Sequence, residues 1–366
     1  MEKLKHIVGS IARTLLALTF LFSGIVKAVD PLGTTYKIED YLKAFGGWFM
    51  DLLPLAGAAA IILIAVEFIL GWCMLWNVKT QWTSWLSLAF YLVMTPLTLY
   101  IALVNPVSDC GCFGDALVLT NWQTFWKNIV LLTLVVLLLL CRKAIPATWR
   151  GWMEGVMALV AAMIVGGFMM YNLHHLPIWD FRPYKVGNFI PSLMEYPEDA
   201  EADQYEITFV YAKDGVEQEF TLENYPHGDS TWTFVRQNST LIKKGYEPPI
   251  HDFEILDENY DDITYDILES EQPIVLAVMY DLNKADRQQM NKLNALYDQA
   301  QMEGRAFYAV TGSGSLDIET FKAETQAQYP ICTCDPVTLK TIVRANPGIV
   351  EIEEGTIINK YNLRNK

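Results

Sequence analysis

The chain has 366 residues, of which 52% are hydrophobic, and its formal net charge is −15. The charge is unevenly placed: residues 1–181 carry 11 Lys and Arg against 10 Asp and Glu, whereas residues 182–366 carry 16 against 32. The acidic second half argues against nucleic-acid binding, because affinity for phosphate comes from Lys and Arg. We predict a membrane region followed by an acidic soluble region.

The first half contains apolar runs long enough to cross a lipid bilayer, which needs about 20 helical residues. There are five such runs, at residues 7–29, 52–76, 83–104, 122–141 and 152–172. The first run follows basic residues like a signal peptide, but no small-residue cleavage site follows it. We therefore interpret it as a retained helix and predict five spans.

The distribution of Lys and Arg in the short connections predicts the orientation of these spans. Basic residues cluster before the first run and in the loops 77–82 and 142–151, whereas the loop 105–121 has no Lys or Arg. This pattern predicts an inner-membrane protein with the N-terminus inside and the soluble half outside the cytoplasm. The connection 30–51 and the loop 105–121 then also lie outside.

Four of the six cysteines form two Cys-x-Cys pairs, Cys110 with Cys112 in "DCGCFGD" and Cys332 with Cys334 in "CTC". Both pairs are predicted to lie outside, where disulfides are permitted. A disulfide across one intervening residue closes a small, strained ring and is therefore relatively oxidising. We predict that both pairs are catalytic redox pairs, with a compact Gly-rich turn as the alternative for Cys110 and Cys112.

The sequence gives weaker evidence for other cysteine chemistry. Zinc sites usually have two to four residues between their Cys ligands, rather than one, so we predict no metal site. Cys73 and Cys141 lie alone in apolar runs, which is typical of small packing residues.

Glu67 lies well inside the second apolar run. An intramembrane carboxylate costs about 2–3 kcal/mol or more and is normally paired, protonated or next to a polar cavity. We expect Glu67 to pair with Arg13 and to form either a proton or quinone-headgroup site or a pair that fixes helix packing. Lys27 is expected to extend to the membrane interface.

The first half also resembles known membrane families. The segments "FLFSGIVKAVDPLG", "AVEFILGWCMLW" and "DCGCFGD", followed by "NWQTFWKNIVLL", resemble the DoxX-like and methylamine-utilisation MauE families over residues 5–142. The resemblance implies a four-helix membrane bundle that acts in thiol or quinone redox chemistry. A quinone is accordingly the candidate cofactor.

The sequence of the second half predicts strands and helices in alternation. "QYEITFVYAKDGVEQEFTL" predicts a hairpin around an Asp-Gly turn. From "PIVLAVMYDL" onwards the predicted order is strand, a long helix at 285–302, strand, helix, the Cys-Thr-Cys segment, helix and two closing strands. This order is typical of an α/β domain.

The end of the chain, "LKTIVRANPGIVEIEEGTIINKY", resembles the closing part of a thioredoxin fold, and Pro347 matches the cis-proline of that family. The resemblance implies a Cys-x-x-Cys after the strand "VLAVMYDL", but this chain has "DLNKADRQQM" there. We therefore predict a degenerate thioredoxin-like domain that lacks the usual active site.

The predicted domains are a four-helix bundle (1–145), a fifth span with its linker (146–181), a β-rich extracytoplasmic segment (182–270) and a thioredoxin-like domain (271–366). The leading hypothesis is a redox-accessory protein that takes part in thiol/disulfide or quinone-linked electron transfer with an exported protein or thiol partner. The alternative is a non-catalytic, membrane-anchored module that holds an exported client. A transporter is the third class, and only Glu67 supports it.

Overall fold

The computed structural model describes residues 1–107, 109–146, 148–243 and 245–365. Six helices occupy the first half: α1 (Glu2–Val29), α2 (Pro31–Phe45), α3 (Ala56–Leu75), α4 (Thr80–Val104), α5 (Asn121–Cys141) and α6 (Gly151–His174). Five segments of the described chain are long and apolar enough to span a membrane, and they coincide with the five predicted runs. The protein is therefore a membrane protein.

The helices of the bundle approach most closely where α1 crosses α3. A Cβ atom added to Gly24 would lie 2.8 Å from the backbone nitrogen of Phe68, and one added to Gly71 would lie 2.6 Å from that of Leu21. Larger residues would force the two backbones apart. These two glycines therefore set which residues of α1 face which residues of α3.

Helix α2 was not anticipated, because the sequence analysis treated residues 30–51 as a connection. The helix begins at Asp30, whose carboxylate accepts a hydrogen bond from the backbone N–H of Gly33 at 2.9 Å, with Pro31 in the first turn. It ends at Gly46, which has a positive φ of 62°. An N-cap, an early Pro and a terminal Gly are ordinary helix signals, and the charged residues between them obscured the pattern.

The second half begins with α7 (Ile190–Met194) and a three-stranded antiparallel sheet of β1 (Gln204–Lys213), β2 (Val216–Thr221) and β3 (Thr233–Lys243). The strand order is β2-β1-β3. Asp214 and Gly215 make the β1–β2 turn, both with positive φ, as the predicted Asp-Gly hairpin requires. The predicted hairpin is confirmed.

The remaining elements are α8 (Thr264–Leu268), β4 (Ile274–Met279), α9 (Met290–Met302), β5 (Phe307–Thr311), α10 (Ser315–Thr325), β6 (Ile331–Thr333), α11 (Pro336–Ile342), β7 (Gly348–Glu353) and β8 (Thr356–Asn362). They form a five-stranded sheet in the order β6-β5-β4-β7-β8. Strands β4, β5 and β6 are parallel, and β7 and β8 close the sheet antiparallel.

This strand order, with helices between the parallel strands, confirms the predicted thioredoxin-like fold. The peptide bond between Asn346 and Pro347, just before β7, is cis as expected. The helix predicted at 285–302 is shorter, because residues 282–289 form two separate 3-10 turns capped by the side chains of Asp281 and Asp286.

Candidate functional site

Cys110 and Cys112 lie in the turn between α4 and α5, which we call the Cys-x-Cys turn (residues 109–115). Their sulfur atoms are 2.8 Å apart. Gly111 between them has a positive φ of 63°, a conformation that favours glycine, and its N–H donates to the carboxylate of Asp109 at 2.7 Å. The structure thus brings the first predicted cysteine pair into direct contact.

Helix α2 covers this turn. Lys37 donates to the carboxylate of Asp109 at 2.7 Å, and the hydroxyl of Tyr41 donates to the carbonyl oxygen of Cys110 at 2.8 Å. A Cβ atom at Gly111 would lie 2.8 Å from Cγ of Lys37, so the Lys37 side chain crosses directly over the glycine. Lys37 and Tyr41 were not predicted as site residues, because the helix that carries them was not predicted.

Beneath the turn lies a buried polar cluster of Ser23, Lys27 and Glu67. The ammonium group of Lys27 donates to both carboxylate oxygens of Glu67, at 2.7 and 2.8 Å, and to Oγ of Ser23 at 3.0 Å. Oγ of Ser23 in turn lies 2.8 Å from Oε2 of Glu67 and 2.8 Å from the carbonyl oxygen of Cys112. The cluster therefore joins the intramembrane ion pair to the backbone of the Cys-x-Cys turn.

The expected pair of Glu67 with Arg13 was wrong, as was the expected extension of Lys27 to the interface. Lys27 and Glu67 have side chains only 5% and 4% exposed and pair with each other. The close crossing at Gly24 and Gly71 places the last turns of α1 against Glu67. Arg13 lies ten residues before Ser23, about 15 Å along the helix, and its Nε and Nη1 atoms have no partner in the described structure.

The two thiols of the Cys-x-Cys turn have opposite electrostatic environments. The pKa of Cys112 is lowered to about 6: the hydrogen bond from Cys110 lowers it most, Lys127 and Lys27 also lower it, and burial and Glu67 act in the opposite direction. The pKa of Cys110 is raised, first by its hydrogen bond to Cys112 and then by burial. These directions favour Cys112 over Cys110 as the thiolate of the pair.

The second cysteine pair has a different environment. Cys332 lies in β6 and Cys334 directly after it, and both side chains are buried in the same core as Val310 and Val350. In extended backbone, Cβ atoms two residues apart are about 6.5 Å apart, whereas a disulfide needs Cβ atoms within about 4.5 Å. Burial raises the pKa of each thiol to about 12. The structure therefore does not bring this pair together as it does the first.

The thioredoxin-like domain rests on the Cys-x-Cys turn through Arg344, which lies in the loop before β7, three residues before Pro347. The guanidinium of Arg344 donates to the carboxylate of Asp30 at 2.8 Å and lies 3.8 Å from that of Asp115. The same guanidinium stacks over the ring of Tyr36, 5.4 Å from its centroid. These contacts join the loop before β7 to both α2 and the Cys-x-Cys turn.

The position of a thioredoxin active site lies at the same end of the sheet. The turn after β4 carries Tyr280 and Asp281 instead of cysteines, and the amide of Asn346 donates to the carbonyl oxygen of Asp281 at 2.8 Å. Tyr280 also interacts with the hydroxyl of Tyr36 from α2. The end of the fold that would hold the active site is thus packed on the membrane region.

Replacement of Arg344 by Met should loosen this contact, because it leaves Asp30 partly buried without its partner. We expect a cost of about 3 kcal/mol to the docked arrangement. The measurement is the rate of limited proteolysis within residues 175–189, between α6 and α7. Lys322→Met is the matched control, because its pair with Glu258 is solvent-exposed and should contribute less than about 1 kcal/mol. Equal cleavage rates for both variants would contradict the prediction.

A cavity of about 440 Å³ runs past the Cys-x-Cys turn. Its wall on the side of the soluble domain includes Lys340 of α11 and Arg344 just after that helix, and its wall on the membrane side includes apolar side chains of α2, α3 and α4. Cys110 and Cys112 also line it. A smaller cavity of about 20 Å³ is lined by both Cys112 and Glu67. The large cavity therefore brings side chains of the soluble domain and of the membrane bundle next to the two cysteines.

Comparison with known proteins finds two family matches and a structural neighbour. Residues 5–141 match the family model of methylamine utilisation protein MauE, and residues 205–244 match a domain of unknown function, DUF8463. A solution structure of a candidate protein disulfide isomerase from Bacteroides thetaiotaomicron is 16% identical, covers 31% of this chain and 77% of its own, and has a TM-score of 0.26. No curated protein matches the sequence.

The fold defines a class: a membrane bundle fused to a thioredoxin-like α/β domain. More specifically, the chain carries a MauE-like membrane domain, which ends within one residue of where the sequence resemblance placed it.

Proposed function

We propose that the protein is a membrane thiol–disulfide redox protein in which Cys110 and Cys112 alternate between dithiol and disulfide. The observation that supports this most directly is the 2.8 Å separation of the two sulfurs, with Cys112 as the low-pKa partner. The Lys and Arg distribution supports a position of the pair on the extracytoplasmic side of the inner membrane. A small turn that serves packing alone would need neither feature.

The chemistry follows from the two pKa values. A client thiolate attacks Cys110 in the disulfide, because Cys112 is the better leaving group. The second client thiolate then attacks the client sulfur of the mixed disulfide and releases Cys110. The client gains a disulfide, and Cys110 and Cys112 gain two electrons and two protons. Re-oxidation forms the S–S bond again and passes those electrons and protons to an acceptor, for which a quinone is the candidate.

The thioredoxin-like domain has a non-catalytic role in this proposal. Its active-site position holds Tyr280 and Asp281, and Cys332 and Cys334 are buried in a strand, which supports binding rather than exchange. We propose that it positions an exported client protein over the cavity beside α11. The proposed boundaries stay at 1–145, 146–181, 182–270 and 271–366, and the wholly non-catalytic binding module is the second candidate function.

The test is a redox titration of the purified full-length protein in glutathione buffers, followed by acid quenching and mass-shift alkylation. We expect Cys110 and Cys112 to gain or lose reactivity together as one two-electron couple. The Cys332→Ala/Cys334→Ala variant is the control and should titrate unchanged. Cys110→Ser should abolish the couple. If both thiols stayed reduced in every buffer, from reducing to oxidising, the result would instead favour the binding module.

A further inference from the structure

The lower end of the large cavity lies within the depth of the membrane spans. Leu63 lies seven residues into α3, and Leu97 lies seven residues before the end of α4, so both are about 10 Å from the helix ends at the Cys-x-Cys turn. Met94 and Phe45 complete this part of the wall. Because these four side chains are apolar and lie at the depth of the spans, this part of the cavity favours a lipid-soluble ligand.

The wall also includes aromatic side chains, against which a flat ring could pack. Tyr41 and Phe45 on α2 are stacked with their ring centroids 6.2 Å apart, and Phe45 meets Tyr100 of α4 at 5.7 Å. Aromatic faces favour offset or edge contacts with further rings at such distances. The hydroxyl of Tyr41 lies at the polar end of this wall, where it already bonds the backbone of Cys110.

The same end of the cavity leads to the sulfur that must release electrons. Cys112 and Met94 line both the large cavity and the small one that contains Glu67 and Lys127. A dithiol becomes a disulfide only when two electrons and two protons leave it. The site thus combines lipid access, an aromatic wall and the thiolate of the pair.

We propose that the lower end of the cavity, formed by Tyr41, Phe45, Leu63, Met94 and Leu97, binds a lipid-soluble quinone as electron acceptor for Cys112. This inference rests on the proposed thiol–disulfide function. It moves the expected quinone site away from Glu67, whose charge is already paired with Lys27. Starting from the Cys112 thiolate, the S–H bond of Cys110 breaks and the S–S bond forms, and the quinone takes up two electrons, the proton of Cys110 and one proton from water to become the quinol.

The experiment uses the full-length protein in lipid nanodiscs and a photoreactive azidobenzoquinone with a ten-carbon tail. Labelled peptides are mapped by mass spectrometry, with unlabelled decylubiquinone as competitor. We expect saturable label on α2, α3 and α4 beside the cavity. Met94→Trp fills the cavity and should weaken the competition about tenfold, which corresponds to about 1.4 kcal/mol.

Leu92→Trp is the matched control, because Leu92 lies on the same helix but is 56% exposed on the outer surface of the bundle. The Leu92→Trp protein should be labelled at the same peptides as the unchanged protein, with the same competition by decylubiquinone. Label spread over all exposed helices and unaffected by Met94→Trp would overturn the proposal, since it would show partition into lipid only.

A second variant separates this inference from the proposed function. The Cys110→Ser/Cys112→Ser protein cannot exchange thiols but should keep the saturable label, because the wall residues are unchanged. Loss of specific label in the unchanged protein, with an intact thiol couple, would overturn the quinone site alone. If the label is specific but no thiol couple is found, the quinone-binding site is supported and the redox function is refuted.

Discussion

Cys112 is expected to react with iodoacetamide with a pH midpoint near 6, in a pre-reduced protein from which Cys73, Cys141, Cys332 and Cys334 have been removed. The reactive form is the thiolate, so the rate should rise through pH 6 and level off above pH 7. The pKa of Cys112 is lowered to about 6, first by the hydrogen bond from the Cys110 thiol and then by Lys127 and Lys27.

Cys110→Ala in the same background should raise this midpoint. The hydrogen bond that stabilises the thiolate is then absent, while burial still favours the neutral thiol. If the pKa returned to the ordinary value, the thiolate fraction at pH 6 would fall about a hundredfold. Since Lys27 and Lys127 still act on Cys112, we expect a fall in rate of about tenfold or more at pH 6.

The reciprocal variant is the control. With Cys112→Ala, the remaining Cys110 is a thiol whose pKa is raised by burial, and it should react appreciably only in alkaline buffer. A midpoint for Cys112 at 8.5 or above, in the presence of Cys110, would contradict the assignment of Cys112 as the thiolate. The same result would mean that Cys112 is not the better leaving group, so a client thiolate would have no reason to attack Cys110.

The second large effect concerns the ion pair inside the membrane. Lys27→Met should lower the free energy of unfolding of the membrane region by about 3–5 kcal/mol, because it leaves the buried carboxylate of Glu67 without its cation. The double variant Lys27→Met/Glu67→Gln should recover most of this loss, since it removes both charges while the Gln side chain can still contact Ser23. Unfolding in mixed detergent micelles, followed by the helical signal, provides the measurement.

Arg13→Met distinguishes the observed pairing from the one expected from the sequence. Arg13 has no ion-pair partner within the described residues, and two of its guanidinium nitrogens are buried without hydrogen bonds. Its replacement should therefore leave the free energy of unfolding unchanged or raise it slightly. A loss of several kcal/mol with Arg13→Met, and none with Lys27→Met, would show that the pairing of Glu67 is wrong.

Several features of this protein follow from the sequence alone because they depend on neighbouring residues. Each of the five spans is a continuous apolar run, the β1–β2 hairpin is specified by Asp214 and Gly215, and the closing strands with Pro347 follow a local pattern. The spacing of Cys110 and Cys112 is also local, but the contact of their sulfurs depends on the turn at Gly111.

The tertiary structure decided what the sequence could not. Lys27 was closer to the predicted interface than Arg13, and only the register of α1 against α3 at Gly24 and Gly71 shows that Lys27 reaches Glu67. Cys332 and Cys334 have the same spacing as the first pair, but a strand extends them along the sheet whereas the Gly111 turn folds the first pair together. The pairing of Arg344 with Asp30 joins residues 314 positions apart, and such contacts follow from how whole elements pack, since no local pattern encodes them.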